Sequence, residues 1–153
     1  MKKINKTKLL AVIFCIALIA MSALFLYSCE SKEEGVLGKG KTSFNLQIIE
    51  KDGTITNYVV KTDEKTVAAA LQHKDVNMIP SDMDVNDFNT IKGIKADFEA
   101  DFSYWAFYIE GEMAWDSAYN TDVVEGYNYA FKYTVFDPDA PWDGQDDEGV
   151  PKG

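Results

Sequence analysis

The stretch Phe44-Asn45-Leu46-Gln47-Ile48-Ile49-Glu50-Lys51-Asp52-Gly53-Thr54-Ile55-Thr56-Asn57-Tyr58-Val59-Val60 decides the fold class. Its first five residues alternate apolar and polar, the period of a half-buried strand. Ile55 to Val60 is rich in β-branched and aromatic residues, which favour a pleated surface. Asp52-Gly53 between them predicts a hairpin turn, of type I′, because that turn needs positive φ.

Downstream the period changes. Val67, Ala70 and Leu71 stand at i, i+3 and i+4 among good helix formers, Ala68 to Gln72, with Thr62, Asp63 or Thr66 available as caps. One short helix is expected to follow the hairpin. Met78 to Asn89 is loop-like, and Thr90 to Lys95 returns to strand-like alternation. An aromatic strand is expected over Phe102 to Ile109, closed by a tight turn at Glu110-Gly111-Glu112. A last strand is expected over Tyr127 to Phe136, whose odd positions share one face. The order predicts an α+β domain with a β-grasp-like mixed sheet and one short helix.

Upstream lies a segment of another kind. Met1 to Lys8 carries four lysines, and Leu9 to Leu26 has no charge, the layout of an export signal or a membrane-anchoring helix. The uncharged run is 18 residues, longer than the apolar core of most cleaved signals, about 7–15, and near the ~18 at which a helix can span a bilayer. Leu26-Tyr27-Ser28-Cys29 resembles a bacterial lipobox, which implies cleavage before Cys29 and acylation of its thiol. A single-span N-terminal anchor and simple secretion are the alternatives. The expected organisation is a signal peptide at 1–28, a flexible linker at 29–41, a folded domain at 42–136 and an acidic disordered tail at 137–153. The domain would stand at the outer face of the cytoplasmic membrane.

Composition narrows the chemistry. Cys15 and Cys29 are the only cysteines, so a domain beyond Cys29 has neither disulfides nor Cys-based zinc sites. Without residues 1–28 the chain keeps 11 lysines against 25 carboxylates, a formal charge of −14. Nucleic acid is excluded as a partner, because phosphate binding needs a basic face. The acidic tail, interrupted by Pro138 and Pro141, does not match a calcium loop, and no metal site is expected. His73, the single histidine, reads as a helix-end residue and has no partner nucleophile in a recognisable motif. Scattered carboxylates define no catalytic pair, so no enzyme is expected.

The segment Tyr104-Trp105-Ala106-Phe107-Tyr108-Ile109-Glu110-Gly111-Glu112-Met113-Ala114, followed by Val123-Val124-Glu125-Gly126-Tyr127, resembles the DUF4430 family. Its domains are similar to the C-terminal β-domain of transcobalamin and intrinsic factor. The resemblance spans roughly residues 42–136. It implies a β-domain that captures a small ligand, cobalamin or another corrinoid in some members, with no catalytic cofactor. By matching position it makes Tyr104 and Trp105 candidate ligand residues, with Tyr108 and Trp115 beside them. Alternation along the strand leaves a second reading, in which Trp105, Phe107 and Ile109 fill the core while Tyr104 and Tyr108 face outward. The functional expectation is a membrane-anchored, extracytoplasmic binding protein that takes a small ligand to a membrane transporter. The alternative is a cell-envelope interaction module whose aromatic sheet face binds a protein or polysaccharide.

Overall fold

Hairpin formation sets the frame. Strand β2 (Thr42–Ile49) and strand β3 (Ile55–Thr62) pair antiparallel in continuous register from Thr42 opposite Thr62 to Ile49 opposite Ile55. The computed structural model describes residues 32–139, with side-chain environments from Gly35 onward. These residues belong to one compact unit, Ser31–Gly153. The expected signal segment, Cys29 and the tail from residue 140 lie outside the described residues. The hairpin turn differs from the expected type I′: Gly53 has φ 83°, whereas Asp52 is not among the positive-φ residues. Three residues, Lys51 to Gly53, fill the loop between Glu50 and Thr54, whose backbones bond at 2.9 Å. That length suits a turn needing positive φ only at its last position.

Strand β1 (Lys32–Gly38) precedes the hairpin and runs parallel to β3. The expected linker over 29–41 therefore contains an edge strand. The Gly-rich composition that reads as flexible has a packing cause instead. A Cβ on Gly40 would lie 2.0 Å from the carbonyl carbon of Thr62, and one on Gly38 would lie 2.4 Å from the Lys61 oxygen. Only glycine lets the two backbones approach so closely.

Helix α1 (Val67–Gln72) follows, capped by Thr66, whose Oγ1 accepts from the Ala69 N–H at 3.3 Å. Its first free amides, Val67 and Ala68, donate to the carbonyls of Thr121 and Ala118, so a late loop completes its N-terminus. Val67, Ala68, Ala70 and Leu71 are buried. At its end the His73 Nδ1 accepts from the Asp75 N–H, closing the turn.

Residues 90–95 fold into a two-stranded hairpin, β4 (Thr90–Ile91) and β5 (Ile94–Lys95), because Lys92 and Gly93 both take positive φ. A second helix, α2 (Phe98–Asp101), corrects the expectation of one. Four residues are too few for helical periodicity to show in sequence. Its signals are the Asp97 cap, which accepts from the Ala100 N–H, and left-handed Phe102 after it, with φ 57°.

Strand β6 (Ser103–Ile109) turns through Glu110 and Gly111, both at positive φ, into the two-residue β7 (Glu112–Met113). Strand β8 (Asn128–Val135) then inserts between β2 and β6, parallel to the first and antiparallel to the second. The main sheet is thus mixed and six-stranded, in the order β1-β3-β2-β8-β6-β7, with β4-β5 separate.

The core lies on the α1 face. Phe44, Leu46 and Ile48 of β2, Tyr58 and Val60 of β3, Trp105 and Phe107 of β6, and Tyr129 and Phe131 of β8 meet the helix there. Phe107 stacks on Phe131 at 4.8 Å between centroids, and Phe44 meets Tyr129 edge-on at 5.2 Å. Tyr129 keeps its hydroxyl satisfied, donating to the Asp122 carbonyl and accepting from the Val124 N–H. Among the described residues no helix is long and apolar enough to cross a membrane.

Candidate functional site

Strand alternation separates the residues singled out by sequence. Trp105 points into the main core, 5% exposed, edge-on to Tyr133 at 5.4 Å. Its indole N–H donates to the Ile94 carbonyl at 3.2 Å, pinning β5 to the sheet. Tyr108 and Tyr104 point to the opposite face, where Ala106, Tyr108 and Ala130 form a second cluster with Ile49 and Tyr104 against it. Tyr108 takes the side of the strand expected from alternation, but it is covered there and only 1% exposed, which corrects the expectation of an open ring. The alanines beside it leave room for a ring to lie low on the sheet.

Trp115 behaves otherwise. The Ala114 N–H donates to the Phe107 carbonyl as the last rung beyond β7. Asp116 then accepts from the Ser117 N–H at 2.8 Å and the Asn120 amide at 2.9 Å. Those bonds hold the Asp116 carboxyl below its usual range, the Asn120 amide acting most strongly. Between these fixed points the Trp115 ring is wholly exposed, at 105% of the reference area. The four aromatic residues therefore do not converge: one fills the core, two lie on the far face and one projects from an edge loop.

A concave feature occurs elsewhere. The 86–89 loop and the β5–α2 segment enclose a cleft of about 320 Å³, lined by Asn86, Asp87, Phe88, Asn89, Lys95, Ala96, Asp97, Phe98 and Glu99. The Ala96 N–H donates to the Asn89 carbonyl at 2.8 Å, tying the walls together. Asp97 is fully engaged, taking the Lys95 ammonium at 3.1 Å and capping α2. The Lys95 hydrogen bond, then the Ala100 amide, hold its carboxyl below the ordinary value. Asp87 and Glu99 face no lysine within bonding distance among the described residues, so the cleft is net acidic. Sequence reasoning missed this site because residues 86–89 read only as loop. Among the described residues no group of three or more His, Cys, Asp or Glu side chains is placed to hold a metal ion.

The chain matches no family model and no curated protein. The DUF4430 resemblance therefore rests on its short motifs. In fold, the chain is similar to a solved protein from Ruminococcus gnavus ATCC 29149 that is proposed to bind metal. The superposition has a TM-score of 0.54 at 20% identity and covers 63% of this chain and 99% of that one. At that identity the likeness establishes the shared fold.

Proposed function

We propose that this chain is a non-enzymatic, extracytoplasmic binding protein, tethered through Cys29 to the outer face of the bacterial cytoplasmic membrane, that holds a small polar or cationic ligand. The cleft between residues 86–89 and 95–99 carries this reading. It lies at the small end of ligand-pocket volumes, with phenylalanine walls and a rim of amides and carboxylates. The likeness to a protein proposed to bind metal supports a ligand-binding role. Hairpin, helix and closing parallel strand follow one another as in β-grasp folds, which agrees with the resemblance to the transcobalamin-type domain.

Corrinoid capture for a membrane transporter has narrower support. Of Tyr104, Trp105, Tyr108 and Trp115, the last alone offers a fully open ring. That same ring, beside exposed Met113, favours a second reading, an envelope module that binds a protein or polysaccharide at this edge.

Equilibrium dialysis of residues 31–153 against calcium, putrescine and a coloured corrinoid separates these readings. Saturable cation uptake, lost in Asp87→Asn/Glu99→Gln, supports the cleft. Corrinoid retention lost in Trp115→Ala and Tyr104→Ala supports capture on the aromatic edge. Retention of none of the three probes overturns both small-ligand readings and favours the envelope module.

A further inference from the structure

Three exposed phenylalanines gather at one end of the sheet: Phe98 (53%), Phe102 (43%) and Phe136 (41%). Phe98 meets Phe102 edge-on at 5.7 Å and Phe136 at 6.4 Å. The patch is built. Its backbone is locked where the Phe102 N–H donates to Phe98 and the Phe136 N–H donates to Phe102. Phe102 holds a left-handed conformation that a bulky residue adopts only under constraint. A rigid group of exposed rings on so acidic a chain calls for a partner.

The path of the chain says which partner. Strand β8 runs parallel to β2, so Val135 and Phe136 lie toward the end where β2 enters the Asp52-Gly53 turn. Lys51 of that turn reaches Asp101 of α2 at 3.7 Å, which places turn and patch together. Strand β1 runs parallel to β3, and Lys32 pairs with Thr56, just after β3 leaves the turn. The chain upstream of Lys32 therefore arrives from this same end. Only Glu30 and Ser31 separate Cys29 from β1. Three residue steps reach about 10 Å. A lipid on Cys29, or the uncharged run Leu9 to Leu26 as a spanning helix, would hold this end of the domain against the bilayer.

We propose that Phe98, Phe102 and Phe136 form a membrane-docking surface that seats this end of the domain in the bilayer interface. The inference rests on the tether put forward above. The carboxylates bordering the rings are compensated, Asp97 by Lys95 and Asp101 by Lys51, which lowers the cost of bringing this end to the headgroups. Glu99, Asp137 and Asp139 add negative charge that no lysine among the described residues pairs with, so the fitting surface is zwitterionic lipid. Seated this way, Phe98 belongs both to the docking surface and to the cleft, and the cleft opens beside the membrane.

The test uses the full chain in phosphatidylcholine vesicles and a membrane-impermeant lysine-acetylating reagent. Lys51 and Lys95 flank the patch, with side chains 65% and 60% exposed. Lys39 and Lys65 follow the far ends of β1 and β3 and are 89% and 84% exposed, so they serve as internal references. If the surface is docked about two-thirds of the time, the near pair labels about threefold more slowly relative to the far pair than in an undocked protein. The undocked standard is Phe98→Ser/Phe102→Asn/Phe136→Ser, whose substitutions fall on exposed positions and keep a residue tolerant of left-handed φ at 102. Unchanged far-ultraviolet dichroism verifies its fold. Val124→Ser, an exposed apolar residue ahead of β8, should preserve the protection. An equal near-to-far ratio in the parent and the triple variant overturns docking. Flotation with the vesicles reports the tether separately: flotation with equal ratios refutes docking alone, whereas loss of flotation removes the tether and docking with it.

Discussion

Replacing Trp105 with alanine separates a core role from a ligand role. The side chain is 5% exposed, packs edge-on against Tyr133 and bonds through its indole N–H to Ile94. Truncating a buried tryptophan costs about 3–5 kcal/mol through lost burial and the cavity left behind. A domain of this size has about 5–15 kcal/mol in total. With a urea slope of about 2 kcal/mol per molar, the midpoint should fall by roughly 2 M. Trp105→Phe keeps most of the ring but strands the Ile94 carbonyl, and should cost about 1–2 kcal/mol. Urea unfolding of residues 31–153, followed by far-ultraviolet dichroism, gives both values. An alanine variant within about 1 kcal/mol of the parent, and two-state by the same probe, would refute the reasoning, because it would mean that Trp105 packs against nothing essential.

Gly40→Ala should destabilise the domain by about 1–3 kcal/mol, since the added methyl overlaps the Thr62 backbone. Hydrogen exchange should show β1 amides losing protection first; unchanged exchange would mean that β1 does not depend on this approach. Glu125 accepts from the Ser43 backbone N–H and hydroxyl, which hold its carboxyl below the ordinary value, the backbone bond acting most. A lowered folded pKa gives stability that is full above the unfolded value and is lost as pH falls through the folded one. Denaturation midpoints should therefore decline on acidification below the ordinary carboxylate range, and Glu125→Gln should flatten that decline; an unaltered slope would count against the Ser43 contact. Cys29→Ala should release the protein from membranes on cell fractionation if acylation is the anchor. Full retention would point to the uncharged run as a spanning helix.

The hairpin and α1 were legible because each has a period and a boundary signal in sequence: alternation up to Asp52-Gly53, and a 3.6-residue apolar stripe after Thr66. Strand β1 was hidden by its glycines. Near a predicted linker Gly38 and Gly40 look like flexibility, yet they are selected by contact with a strand over 20 residues downstream, which local composition cannot report. Helix α2 was hidden by brevity, and the Lys92-Gly93 reversal by alternation on both sides that reads as one continuous strand.

The candidate site was harder to read for a different reason. Strand parity correctly separates Trp105 from Tyr104 and Tyr108, but it says nothing about what covers each face; Tyr108 is buried on the face that parity marks as outward. Aromatic richness in β6 reflects a sheet with a core on one side and a smaller apolar cluster on the other, so the most conspicuous rings in the sequence are largely spent on packing. Among the described residues the rings that remain open, Trp115, Tyr127 and the Phe98–Phe102–Phe136 group, stand at an edge loop, one residue before a strand, at a helix too short to recognise and one residue past a strand. Open rings gather where elements end, because inside a strand a neighbour covers them. In a small sheet domain the positions just outside the strands therefore carry more information about binding than the aromatic strand itself.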